Sequence, residues 1–162
     1  MNPKYIVLHH SATADSGTVS WSAIRTYHVR DRGWTDIGYH WGVELIGDHY
    51  ELIVGRTMDV YGAHCREADM NQQSIGVCLV GNFDVAPPPE AQLKAAVRLM
   101  RWLLGVFELP VSRVIGHRDA GAMAGFDWRR GQFKSCPGRL FDTEAFRASL
   151  LPFGPAVPIG RR

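Results

Sequence analysis

No stretch of this sequence approaches the roughly 20 consecutive apolar residues a bilayer-spanning helix needs, so membrane insertion is not expected. Charge of one sign is scarce as well. Eighteen Lys and Arg against 16 Asp and Glu leave a formal net charge of +2, too mild to call for nucleic acid as a partner. Cysteine is rare, and Cys65, Cys78 and Cys136 are odd in number, which argues against a disulfide scaffold and for synthesis in a reducing compartment. The segment Met1 to His10 has one lysine and a short apolar run, without a signal-length hydrophobic region or small-residue cleavage site. Sec-type export is therefore not expected. No internal repeat is evident. At 46% hydrophobic and 21% charged the composition excludes a disordered or fibrous chain. A domain of this length buries about 70% of its unfolded surface. We expect one domain over residues 1–151, and a loosely attached tail over 152–162 that holds three prolines and two glycines.

The pattern along the chain mixes strands and helices. Lys4 to His9 reads as a short buried strand ended by turn-forming residues. Ser20 is a candidate N-cap for a helix from Trp21 to about Arg30, closed by Gly33. Ile37 to Ile46 and His49 to Val54 read as strands joined by the Gly47-Asp48 turn. Ser74 to Gly81 is an unbroken apolar, β-branched run, as expected of a strand at the centre of a sheet and covered on both faces. Pro87-Pro88-Pro89 stops the chain before a helix over Glu90 to Val106, with Leu93, Ala96, Val97, Met100, Leu103 and Leu104 as its apolar stripe. Val111 to Gly116 suggests a further strand leading into His117. Thr143 is placed to cap a last helix to about Leu151. Such alternation predicts an α/β domain whose central sheet is mixed, at least partly parallel, and flanked by helices.

Strand ends thus deliver two histidines, and Cys136 sits in Lys134-Ser135-Cys136-Pro137-Gly138. Cys136, His117 and an N-terminal histidine can be read as a zinc site with three protein ligands, and its fourth position stays open for water, as in hydrolytic rather than structural sites. His9 and His10 point to opposite faces of a strand, so only one faces a given site; both flanks are apolar, and periodicity does not decide which. Cys78 reads as a small core hydrophobe and Cys65 as an unpaired loop thiol. In an extended Lys134-Ser135-Cys136 the first and last side chains share a side, placing an ammonium beside the thiol.

Leu8-His9-His10-Ser11-Ala12-Thr13, Gly33 to His40, Asn71 to Gly81, Gly116-His117-Arg118-Asp119 and Lys134-Ser135-Cys136-Pro137 resemble, in family order, the zinc-dependent N-acetylmuramoyl-L-alanine amidases. The likeness is to phage lysozyme-like type-2 amidases, in the superfamily of peptidoglycan recognition proteins. It implies that His9, His117 and Cys136 hold one Zn2+, a borderline-soft ion suited to two imidazoles and a thiolate. His10 becomes a packing or supporting residue. Zinc lowers the pKa of bound water from about 15.7 toward roughly 7, so no serine nucleophile is required. Tyr39 and Lys134 are the implied catalytic assistants, with Lys134 stabilising the developing oxyanion. His64 either lines the substrate groove or caps a turn; Asn71 and Asn82 either touch substrate or shape loops. Asp119 either orients a ligand imidazole or belongs to a turn. Trp128, Arg129 and Arg130, in an expanded loop over 120–133, either recognise glycan or stem peptide or are simply solvated.

The resemblance implies cleavage of the bond between N-acetylmuramic acid and L-alanine by a monomeric phage endolysin. Such an enzyme is made in the host bacterial cytoplasm and acts on the cell wall after release. A peptidoglycan-binding domain without activity is the alternative, and a cysteine peptidase using Cys136 as nucleophile is a second rival.

Overall fold

The computed structural model describes residues 1–14 and 20–151. The expected tail over 152–162 lies outside the described residues. Five strands form one sheet in the order β3-β2-β4-β1-β5: β1 is Tyr5–His10, β2 Trp41–Ile46, β3 His49–Val54, β4 Ser74–Leu79 and β5 Val114–Gly116. The pairs β1–β4, β1–β5 and β2–β4 are parallel, while β2–β3 is antiparallel. The sheet is thus mixed and mostly parallel, with β4 at its centre and helices on its faces. Ile46 pairs with His49, so Gly47-Asp48 is the two-residue turn of that hairpin.

Among the described residues five α-helices accompany this sheet. The first, α1, spans Trp21–Thr26 and widens into a π-helical turn over Tyr27–Asp31; the Ser20 hydroxyl accepts from Ala23 N at 3.2 Å and caps it. A four-residue helix, α2, covers Met70–Gln73. The long helix α3 spans Glu90–Val106. Its buried face is Gln92, Ala95, Ala96, Leu99, Met100, Leu103 and Leu104, so Leu93 and Val97 of the expected stripe are only partly covered. After β5, α4 begins at His117 and runs to Met123, and α5 spans Thr143–Ser149.

Three expected boundaries are corrected. The β2 strand starts at Trp41 rather than Ile37, because the preceding backbone is committed elsewhere: Gly38 N donates to His28 Nδ1, Gly38 O accepts from Ala63 N, and Ile37 O accepts from Arg56 Nε. Val111–Arg113 is a 3-10 turn after Pro110, leaving only Val114–Gly116 as strand. Asp142, not Thr143, caps α5: its Oδ1 accepts from Ala145 N at 2.9 Å, and Thr143 is buried in the first turn.

Alternation along the strands divides the interior into two unlike halves. On one face Ile6, Leu8, Ile75, Val77 and Leu79 pack against α3 and α5 in a single hydrocarbon cluster. On the other face Val7 packs with Cys65, Met70, Ile115 and Ala120, and Cys78 packs with Trp21, Ile37 and Val80. Between those two smaller clusters lie buried histidines. Among the described residues no helix is long and apolar enough to cross a membrane.

Candidate metal centre

His9 lies at the end of β1 on the face opposite α3, and His10 points the other way, where its Nδ1 accepts from Phe83 N at 3.1 Å. The direction left open by the sequence is thus settled by the faces of the sheet: His9 is the histidine that meets His117 and Cys136. His117 is the first residue of α4, directly after β5. Cys136 precedes a cis peptide bond to Pro137 in the loop that follows α4. His9 Nδ1 stands 3.1 Å from His117 Nδ1 and 3.6 Å from Cys136 Sγ, and the three ligand atoms all lie within 4.8 Å of one another.

That spacing fits a zinc ion. Zn–N bonds of about 2.0–2.1 Å and Zn–S bonds of about 2.3 Å in a tetrahedron put N and N about 3.3 Å apart and N and S about 3.6 Å apart. The donor set of two imidazole nitrogens and a sulfur suits the same ion. Burial, then the neighbouring His117, His64 and Lys134, holds His9 well below the usual histidine range. Burial and Lys134 bring His117 down to about 4 against the opposing pull of Glu67. Both rings are therefore neutral near pH 7, the form that can bind a metal. Burial pushes the Cys136 thiol up to about 12, partly offset by the His10 backbone N–H, Lys134 and Arg118. Such a thiol is a poor nucleophile, which weighs against the cysteine peptidase reading; a coordinated cation would deprotonate it.

The loop bearing Cys136 is clamped from several sides. Arg118 N donates to Cys136 O at 2.7 Å, and its guanidinium donates to Gly138 O at 2.6 Å, Phe141 O at 2.7 Å and Thr143 Oγ1 at 3.2 Å. Asp84 accepts from Ser135 Oγ at 2.8 Å and Arg139 N at 2.7 Å. Gly138 has φ +117, and a Cβ there would come within 2.6 Å of the Phe83 backbone, so only glycine lets the loop close on that segment.

Behind each of the two histidines stands a second group. His9 Nε2 meets His64 Nδ1 at 3.0 Å, and His117 Nε2 meets Glu67 Oε2 at 2.9 Å. His64 is buried over Gly76, where a Cβ would lie 2.4 Å from its Cδ2; glycine on β4 makes room for the ring. Among the described residues His64 Nε2 has no hydrogen bond of ordinary geometry, the Ser74 backbone being the nearby partner. Neither alternative for His64 describes it fully: it borders the cleft and also supports His9.

Glu67, beside His117, is the residue of this site that sequence reasoning missed, since nothing in its spacing from His64 marks it. Its loop is built on purpose-shaped backbone: Ala68 and Asp69 are left-handed at φ 48 and φ 57, each costing on the order of 1 kcal/mol or more. Cys65 is a free thiol in a loop, as expected, and it is buried, with its Sγ donating toward Glu67 Oε2 at 3.6 Å.

Other expected residues act locally. Asp119 does not touch an imidazole; its Oδ2 accepts from Gly116 N at 2.7 Å and caps α4. Asn71 Oδ1 accepts from His64 N at 2.7 Å and Cys65 N at 2.8 Å, so this oxygen shapes the loop rather than facing a ligand. Asn82 Oδ1 accepts from Asp84 N at 3.1 Å in a turn. In the expanded loop, Trp128 lies under the guanidiniums of Arg118 and Arg129, and Phe133 packs edge-on against His117 at 5.5 Å.

An open cleft of about 330 Å3 exposes the centre, lined by His9, Tyr39, His64, His117, Lys134 and Cys136 among others. It shares Trp34, His64, His117 and Lys134 with a neighbouring cleft of about 590 Å3 that reaches Arg32, Arg66 and Glu67. The Tyr39 ring is 5.1 Å from that of His9, and burial, then Cys78 and Cys136, raise its hydroxyl well above the usual tyrosine range. A separate cleft of about 630 Å3 between α3 and α5 is lined by Leu93, Val97, Phe141 and Phe146 among others and holds none of these groups.

With this geometry in view, the comparisons with known proteins agree on a family. The family model described as N-acetylmuramoyl-L-alanine amidase matches residues 1–139. The chain belongs to that family. It is 33% identical to the endolysin of Enterobacteria phage K11 over 130 residues, covering 76% of this chain and 81% of the relative. It is 30% identical to peptidoglycan-recognition protein LB of Drosophila melanogaster, covering 94% of this chain and 68% of the relative. Among solved structures, the N-acetylmuramoyl-L-alanine amidase LysC from Clostridium intestinale superposes with a TM-score of 0.73 at 26% identity, covering 92% of this chain and 85% of that one.

Proposed function

We propose that this chain is a zinc-dependent amidase that hydrolyses the amide between N-acetylmuramic acid and L-alanine in bacterial peptidoglycan. The observation that carries this reading is the meeting of His9 Nδ1, His117 Nδ1 and Cys136 Sγ within 4.8 Å at the wall of an open cleft, in a chain of the amidase family. His9, His117 and Cys136 would hold one zinc ion, which supplies Lewis acidity and a water acidified toward neutral pH.

The remaining chemistry falls to the chain's own groups. The cleft admits the substrate amide beside the three donors, and the neutral rings of His9 and His117 keep their Nδ1 lone pairs for the metal. Lys134 extends from the exposed loop into both clefts, and its charge is felt at His9, His117 and Glu67. It is the group to meet the negative charge that builds on the carbonyl oxygen as the carbonyl carbon becomes tetrahedral, when such an interaction accelerates most. Tyr39 keeps its proton on Oη at all working pH values, so its hydroxyl acts as a hydrogen-bond donor or as a relay toward the leaving nitrogen. His64 holds His9 from behind.

The phage endolysin relatives support a biological setting: synthesis in the host bacterial cytoplasm, action on the wall after release, and bacteriolysis as the outcome. We propose that it acts as a monomer on peptidoglycan, without nucleic acid as a partner and without inserting into the membrane. The recognition-protein relatives favour a second reading, binding of muropeptide without cleavage. The presence of all three donors supports the catalytic one. Digestion of purified peptidoglycan by zinc-replete and chelated protein tests it. The expected result is zinc-dependent release of new L-alanine amino termini without new reducing sugar ends; binding without new termini would leave the recognition reading, and new sugar ends would mean a glycosidase.

A further inference from the structure

One buried carboxylate stands against the site without belonging to any of the sequence motifs. Glu67 Oε2 is 2.9 Å from His117 Nε2, with both side chains hidden from solvent at 8% and 4% exposure. A carboxylate can only accept, so His117 must donate from Nε2 and keep its Nδ1 lone pair turned toward His9 and Cys136. The same oxygen takes the Cys65 thiol at 3.6 Å, and Arg66 Nε approaches Oε1 at 3.3 Å. The loop beneath is fixed by Asn71 Oδ1 on His64 N and Cys65 N and by Gln73 Nε2 on Ala68 O at 2.8 Å.

The two histidine ligands are thus backed differently. His9 rests on a neutral ring, His64, whereas His117 rests on a charge. Among the described residues the cations near that charge are not buried: the Arg66 side chain is 90% exposed and Lys134 is exposed. A carboxylate hydrogen-bonded to an imidazole in this way fixes the ring's orientation and makes its other nitrogen a stronger donor to a cation. With a Cys136 thiolate, Glu67 would bring the negative charge around a divalent ion to balance.

We propose that Glu67 is the anionic positioning residue of the metal centre, orienting His117 and, through its charge, raising the affinity of the site for zinc. This rests on the zinc reading above. The test is a competition titration of zinc against a chromophoric chelator, on the full chain carrying Glu67→Ala or Glu67→Gln, with the metal-free melting temperature recorded for each. Loss of the partner should weaken zinc binding by about 10- to 100-fold in Glu67→Ala. Glu67→Gln keeps volume and an acceptor but no charge, so it should recover part of that loss relative to Glu67→Ala and still bind zinc more weakly than the wild type. A purely structural role would lower the metal-free melting temperature and leave zinc affinity in Glu67→Gln unchanged. Zinc affinity of Glu67→Gln within about twofold of wild type would overturn the inference. Failure of the wild type to bind zinc would instead overturn the metal reading itself.

Discussion

The two faces of the central sheet are made from the same strands yet follow opposite rules. Toward α3 and α5, Ile6, Leu8, Val77 and Leu79 form a core of hydrocarbon, where stability comes from area removed from water. Toward the cleft, the next residue along each strand is His9, Gly76 or Cys78, and the space is filled by His64, His117 and Tyr39. There each buried polar atom needs a partner, and each histidine must stay neutral to remain buried. One face can absorb small changes of shape; the other is held by hydrogen bonds whose geometry has to be right.

The comparison can be broken most severely by changing charge at the cleft. Lys134→Met, which keeps length and removes the ammonium, should lower kcat by about 10^2- to 10^3-fold with the fold and zinc content unaltered, as for loss of one oxyanion-stabilising donor. Steady-state release of L-alanine termini checks this, and near-wild-type kcat would remove Lys134 from the chemistry.

Acid should separate the faces next. Below the unfolded histidine pKa of about 6.5 the unfolded chain takes up protons, while the metal-free folded chain does not, because burial holds His9, His64 and His117 down. The unfolded state then binds more protons, so stability falls as pH drops from about 6.5 to about 4, where folded His117 finally charges. His117 alone accounts for about 3 kcal/mol of this loss, with His9 and His64 acting in the same direction. For Glu67 burial opposes ionisation, but the His117 N–H and its own backbone N–H win and hold it at about 2, so its contribution is lost further down, between about 4.5 and about 2. Urea melts of metal-free protein across this range check the slope, and a flat profile would show that the histidines are not buried neutral.

A matched pair of one-methyl changes on β4 sharpens the contrast. Gly76→Ala drives a Cβ to 2.4 Å from the His64 ring and should cost about 1–3 kcal/mol by overpacking, while also weakening zinc binding through displaced His9. Its neighbour on the hydrocarbon face, Ile75→Val, should cost about 0.5–1.5 kcal/mol and leave zinc binding untouched. Equal effects on zinc from both would erase the distinction between the faces.

Legibility in the sequence follows the same division. The α3 helix was readable to both ends because three prolines precede it and its apolar residues recur at helical spacing. The unbroken run from Ser74 announced a strand covered on both faces, and β4 is the central strand. The start of β2 was not readable, since Ile37 and Gly38 have strand-like neighbours but give their backbone groups to His28, Arg56 and Ala63. At the site, the motifs named His9, His117 and Cys136, and the fold brings those three together. Periodicity alone could not choose between His9 and His10, because both faces of β1 are buried. Glu67 was invisible for a different reason: its partner is 50 residues away, and no local pattern encodes such a pairing. Asp142 was overlooked beside Thr143, two acceptable caps at adjacent positions.

The adjacent histidines also provide the most direct test of the central claim, that two imidazoles and one sulfur on the cleft face hold a single zinc ion. Metal content should be measured on purified wild type, His9→Gln and His10→Gln, the last retaining an acceptor for Phe83 N. The account predicts one zinc per chain in the wild type and in His10→Gln, and none retained by His9→Gln. Zinc kept by His9→Gln and lost by His10→Gln would contradict it.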